Sequence, residues 1–292
     1  MRTAPKYQAP GLNRRRVGDF TVTCVSDGYL DISFELLSGI DAASAEDVLR
    51  AAGAPPLPRM NINTYVVQDA TRTILIDSGA GGYNGWGGRL PVALAAAGVD
   101  PADVDTVLLT HAHPDHVGGL AGPGAAPRFP NVQALYLHEA ELAFWQDDAI
   151  RGQSPDGFRP FFDIARNALA AYDGRLRPFR GEAVVPGITA VPLPGHTAGH
   201  TGYLIESDGE ALLVWGDIVH FPDLQAARPE ITIAFDSDAA QAAKVRRQLL
   251  DRACADRLLI GGMHLNTPNF VHVERAREGY ALVKEIWSPA LL

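Results

Sequence analysis

Residues 106–120 read TVLLTHAHPDHVGGL, and this stretch constrains the chain more than any other. A short apolar run leads into His111, His113, Asp115 and His116, and two glycines follow. Such a run, bounded by turn residues, reads as a buried strand. Groups on a loop at a strand end are held by a rigid sheet, and glycines let the backbone pack close. His111 and His113, two apart on an extended segment, can face the same way. Pro114 turns the chain, so Asp115 and His116 point elsewhere. One loop can therefore serve two neighbouring metal ions. Imidazole suits Zn, Fe, Co or Mn, and carboxylate compensates charge.

Each ion needs further ligands, and other strand ends offer them. His196 lies in LPGHTAGH, Asp217 in VWGDIVH and His264 in GGMHLN. Each follows an apolar strand with glycine nearby. An aspartate with two oxygens can bridge two ions ~3.5 Å apart. Without metal, a buried cluster of this kind would leave many polar groups needing partners. His138 and His272 stand apart and read as structural residues.

Strand and helix patterns alternate along the rest of the chain, with hairpins interrupting them. FTVTCVSDGYLDI alternates like a strand and its turn, and INTYVVQDATRTILIDSGAGG reads as a hairpin with a sharp glycine-rich turn. SAEDVLRAAG reads as a helix capped by Ser44, and DSDAAQAAKVRRQLLDRACAD as a helix capped by Asp236 or Ser237. FFDIARNALAAYD reads as a further helix and VERAREGYALVKEIW as a closing one. The two halves look alike in plan. This pattern predicts an α/β fold, an αββα sandwich of two mixed β-sheets flanked by helices. Residues 1–16, basic and broken by proline, are expected to form a flexible arm. Residues 17–292 are expected to form a single domain.

The formal charge is −9 at pH 7. An acidic total disfavours nucleic acid as a partner, and Arg14, Arg15 and Arg16 read as a solvated arm. No apolar run is long enough for a membrane span, and the N-terminus carries no secretory pattern. A cytoplasmic location is the expectation. Cys24 and Cys254 are far apart and show no metal spacing, so a disulfide framework is not expected.

With these residues in place, the chain resembles the metallo-β-lactamase-fold hydrolases, from about Asn63 to about Leu265. The ligand series carries the likeness. NTYVVQDATRTILIDSGAGG, WGDIVHF and ITIAFDSDAAQAAKVRRQLLDRACAD place it nearest the quorum-quenching lactonase and methyl parathion hydrolase group. The resemblance implies that His111, His113 and His196 hold one divalent ion. It implies that Asp115, His116 and His264 hold the other and that Asp217 bridges them. Zinc is the first choice of metal; iron, cobalt and manganese are the others. Asp77 and His200 would brace the ligands from behind.

The implied reaction is hydrolysis of a small lactone, of the N-acyl homoserine lactone type, or of a related ester, by attack of a metal-bridging hydroxide. Asp115 would handle the proton. Lactonases of the group carry a tyrosine three residues after the bridging aspartate; here that position is His220, which leans towards the parathion-hydrolase-like branch. His220 is a candidate donor to the substrate, and Trp86 and Phe221 are candidates to line an apolar pocket. Hydrolysis of organophosphates or aryl esters is the alternative on the same site. A mono-iron persulfide dioxygenase is the alternative from another class. The resemblance also suggests a homodimer.

Overall fold

The computed structural model describes residues 8, 9 and 11–291. Strand β1 (Leu12–Val17) pairs antiparallel with the long β2 (Phe20–Asp31). The short β3 (Leu37–Ser38) and helix α1 (Ala42–Ala51) follow. A hairpin comes next, β4 (Arg59–Gln68) and β5 (Thr73–Ile76). Asp69 Oδ1 closes its turn by accepting the N–H groups of Thr71 and Arg72, both at 2.8 Å.

The chain then alternates. Helix α2 (Leu90–Ala97) leads to β6 (Thr106–Leu108), and the one-turn α3 (Pro114–Val117) leads to β7 (Ala134–His138). Helices α4 (Glu139–Gln146), α5 (Asp148–Gln153) and α6 (Arg159–Ala170) precede β8 (Leu176–Phe179). The second half opens with β9 (Ala183–Val185), β10 (Ile188–Pro192), β11 (Thr201–Ser207) and β12 (Glu210–Val214). It continues through α7 (Pro222–Gln225), β13 (Thr232–Ile233), α8 (Ala239–Ala255) and β14 (Leu259–Gly261). It ends with β15 (Phe270–Arg275) and β16 (Tyr280–Lys284).

Two seven-stranded sheets result, ordered β1-β2-β4-β5-β6-β7-β8 and β16-β15-β14-β12-β11-β10-β9. Both are mixed: β5 to β8 run parallel, as do β12 and β14. The pattern of burial explains the layers. On β5, Ile74 and Ile76 join the core between the sheets, while Leu75 joins the core beneath the helices. On β12, Leu212 and Val214 face inward and Leu213 packs in the layer that holds Leu249 and Leu250 of α8. Strands apolar on both faces must be covered on both sides, so the αββα sandwich follows. Among the described residues no helix is long and apolar enough to cross a membrane.

Several local expectations need correction. Residues 12–16 are strand, not arm: Arg14 reaches Ala97 O, and Arg15 pairs with Glu285 at 3.2 Å. Residues 1–7 and 10 lie outside the described residues. The expected closing helix is instead the β15–β16 hairpin. Gly279 (φ +63°) makes its turn, and Val271 and Val273 alternate into the core. Asp41, not Ser44, caps α1, and Asp238, not Asp236 or Ser237, caps α8. In each case the residue that caps is the one whose side chain reaches an N–H three residues on.

Candidate metal centre

Each candidate ligand lies a few residues past the C-terminal end of a strand. β6 delivers His111 to His116, β10 delivers His196, β12 delivers Asp217 and β14 delivers His264. Both sheets therefore contribute to one rim. The loops pack without room for side chains at two glycines. A Cβ at Gly119 would lie 1.9 Å from Ser78 O, and one at Gly216 (φ +62°) would lie 2.3 Å from His200 Nε2.

The rings converge. His113 Nδ1 lies 2.9 Å from both His111 Nε2 and His196 Nε2. Nearby, Asp115 Oδ2 lies 3.6 Å from His116 Nε2 and 3.7 Å from His264 Nε2. Asp217 Oδ2 sits between the two groups. It is 3.2 Å from His116 Nε2 and His264 Nε2, 3.4 Å from His196 Nε2 and 3.8 Å from His111 Nε2.

The hydrogen-bond network assigns the tautomers. Thr110 Oγ1 donates to Asp77 at 2.7 Å, which leaves it an acceptor for the Nδ1–H of His111 at 3.1 Å. His116 Nδ1–H donates to Asp77 at 2.7 Å, His264 Nδ1–H to Asn61 O at 2.6 Å, and His196 Nδ1–H to Asp236 at 2.9 Å. Every one of these rings is tied from behind and aims a nitrogen lone pair inward. Lone pairs facing one another and two carboxylates repel unless a cation lies among them. The buried Asp217 Oδ1 and His116 Nε2 also lack hydrogen-bond partners. The donor set thus fits one or more metal ions, and within each of its groups of three the ligand atoms lie within 4.8 Å of one another.

Electrostatics points the same way. Burial pushes the pKa values of His111 and His113 well down, with His116 and His196 respectively adding to the effect. Both are then neutral, the form that binds metal. Burial also opposes a charge on His116, but Asp217, Asp115 and Asp77 together raise its pKa well above the ordinary value. The three carboxylates thus favour a cation at that spot, whether a proton or a metal ion.

The residues behind the ligands are equally defined. Asp77 occupies the left-handed region (φ +57°) and accepts from Thr110 N at 2.8 Å as well as from His116. Its strained backbone is held by those bonds. His200 Nε2 accepts the N–H of Asp217 at 2.9 Å, and its Nδ1–H donates to Leu193 O at 2.9 Å. Asp236, expected as a helix cap, instead holds His196. It is the one functional contact here that FDSDAA half-signals: two aspartates precede the helix and only one can cap it.

A narrow cavity opens on the centre. Its polar lining is His113, Asp115, His196, Asp217, His220 and His264, and its apolar lining includes Leu30, Met60, Trp86, Phe161 and Phe235. His220 lies 3.3 Å from Asp217 Oδ2, yet neither of its ring nitrogens has a hydrogen-bond partner. Burial drives its pKa down to about 4 against the pull of Asp217, so the ring is neutral and keeps one N–H. Trp86 stands edge-on to Tyr83 and Phe161, with centroids 5.3 and 6.3 Å away. Phe221, by contrast, packs against Phe34 at 5.6 Å and does not line the cavity. Leu30, Met60 and Phe235 come from segments that nothing in the sequence connects to the site.

Comparison with known proteins agrees with this geometry. The sequence model of the metallo-beta-lactamase superfamily matches residues 57–262. The protein YobT of Bacillus subtilis is 26% identical over 231 residues, which is 77% of this chain and 91% of YobT. The chain spans about half the length of the fungal lactamase-like proteins it also matches. Among solved structures, the hydrolase AbOPH of the beta-lactamase superfamily is 29% identical, with a TM-score of 0.90 over 97% of this chain and 100% of its own. AidC, a dizinc quorum-quenching lactonase, shares the fold at 22% identity and a TM-score of 0.88, over 96% of this chain and 99% of its own.

Proposed function

The chain belongs to the metallo-beta-lactamase superfamily, and on that premise we propose that it is a hydrolase that opens a neutral lactone, of the N-acyl homoserine lactone type, or cleaves a related ester. It does so with two divalent metal ions, zinc by preference. The cavity carries this reading. Apolar side chains line it beside the ligand rim, and among the described residues no lysine or arginine does. A substrate with an uncharged carbonyl and an apolar acyl group fits such a space. A carboxylate-bearing substrate, such as a β-lactam antibiotic, would find no lysine or arginine side chain among the described lining to pair with. The identity with AbOPH over nearly the whole chain supports hydrolysis.

On this reading His111, His113 and His196 would hold one ion and Asp115, His116 and His264 the other, with Asp217 available to both. Bound there, the ions supply Lewis acidity, which polarises a carbonyl and acidifies water. The chain's own residues do the rest. Trp86, Phe161 and Phe235 seat the acyl group and exclude bulk water. Water adds to the acyl carbon, and the ring C–O bond breaks. Asp115, with one face open to the cavity, takes the proton from the water and returns it to the departing alkoxide. His220 offers its N–H to a substrate oxygen. The product is a hydroxy acid.

The test is a panel of N-acyl homoserine lactones of rising acyl length, aryl esters, phosphotriesters and β-lactams, assayed with metal-loaded protein. Turnover of the neutral lactones with none of the β-lactams is the expected result. Neutral phosphotriesters turned over faster than any lactone would shift the substrate class, and inactivity on every neutral ester would overturn the reading.

A further inference from the structure

One buried carboxylate outside the ligand set ties the two histidine loops together. Glu141, in the first turn of α4, is 1% exposed. Its Oε2 accepts the backbone N–H of Ala112 at 3.2 Å and the indole N–H of Trp145 at 3.0 Å. Its Oε1 accepts the backbone N–H of Gly199 at 2.9 Å. Ala112 stands between His111 and His113, and Gly199 follows His196 by three residues.

Nothing about α4 itself requires this arrangement. An acidic residue in a first turn normally reaches back to the cap or faces water. Glu141 instead turns across to two loops that belong to different sheets. Space is reserved for it: a Cβ at Gly199 would sit 2.9 Å from Glu141 Cγ. The basic side chains at this end of α4 do not supply a cation to it. Arg180 pairs with Glu139, and His138 Nδ1 caps the helix by accepting the N–H of Ala140. A buried carboxylate without a cationic side chain is costly unless other positive charge lies close. The ring of His113 lies 5.6 Å from that of Trp145, edge to face, directly beside this carboxylate's indole partner.

We infer that Glu141 is a positioning residue that fixes the spacing of His111 and His113 against His196, and that the ion held by those three rings answers its charge. The inference rests on the metal reading given above. Ligand orientation of this kind is commonly worth 10–100-fold in metal affinity.

The experiment titrates metal-free protein with Zn²⁺ in competition with a chromophoric chelator. His113→Ala and His264→Ala assign the two binding steps. Glu141→Gln, which keeps shape and removes charge, should weaken the His113 step about 10–100-fold while moving the His264 step less than about threefold. Glu141→Asp, which keeps charge and shortens reach, should weaken the same step, so the test survives if the Gln variant fails to fold. Trp145→Phe removes one of three donors and leaves the loops bonded; it should weaken that step least. Equal weakening of both steps, or no change in either, overturns the inference alone. A wild-type protein with no step assignable to His113 overturns the metal reading and this inference with it.

Discussion

His196 donates its Nδ1–H to Asp236 across 2.9 Å, and Asp236 in turn lies 3.9 Å from Arg246 Nη2. Arg246 is 1% exposed and spends its other donors on the carbonyls of Ile218, Pro229 and Ile231. A candidate ligand ring, a buried carboxylate and a buried guanidinium thus join the loop after β10 to α8 and to the segment that follows Asp217. Asp236→Ala frees the ring of His196 and leaves Arg246 without its anion. Zinc affinity should fall about 10–100-fold, read by competition with a chelator. Unchanged affinity would remove Asp236 from the site.

His220 separates binding from chemistry. Its nitrogens lack partners and its ring lines the cavity. His220→Phe fills similar volume and removes the N–H. Turnover of a short-chain lactone should fall about 10²-fold, as for loss of one donor to a developing oxyanion, with two metals per chain retained. Loss of metal along with activity would recast His220 as a ligand, and unchanged turnover would take it out of the site altogether.

Trp86 tests the apolar lining. It sits on the glycine-rich loop that Asp27 pins by accepting the N–H groups of Ala80, Gly88 and Leu90 at 2.7–2.9 Å. Trp86→Ala should raise KM for a hexanoyl lactone by roughly tenfold, about 1.4 kcal/mol, and change KM for an acetyl ester far less. Equal effects on both would place the indole outside the acyl subsite.

Metal removal tests stability. The inward lone pairs and the orphaned Asp217 Oδ1 are costs that a bound cation relieves. Ligand at a thousand times its Kd adds about 4 kcal/mol per site, which for a domain of this size corresponds to about 8 °C or more in Tm. Scanning calorimetry with and without a strong chelator reads the shift. No shift would mean that the centre does not bind metal in the folded protein.

How much of this was written in the residues depends on the range of the interaction. The strand that ends in THAHPDH, and the glycine-flanked His196, Asp217 and His264, are legible because each is a local pattern with its own apolar run. The double-faced burial of TILID and ALLVW likewise foretells the layers. The closing hairpin was misread because AREGYALVK carries helix-favouring residues, and pairing to β14 overrode that preference. The contacts of Asp236 with His196 and of Glu141 with Gly199 are not legible locally because they join residues 40 and 58 positions apart. Leu30, Met60 and Phe235 are ordinary apolar residues until folding brings them to one cavity. Phe221 shows the converse: an aromatic is equally at home in a pocket or in the core, and here it packs in the core beside Phe34.

The most direct measurement is the metal content of zinc-loaded wild type and Asp217→Ala by mass spectrometry, taken alongside lactone turnover on the same samples. The account predicts two ions per chain in the wild type, and fewer than two together with lost turnover in the variant. An Asp217→Ala protein that keeps both ions and full turnover, or a wild type fully active with one ion or none, would contradict it.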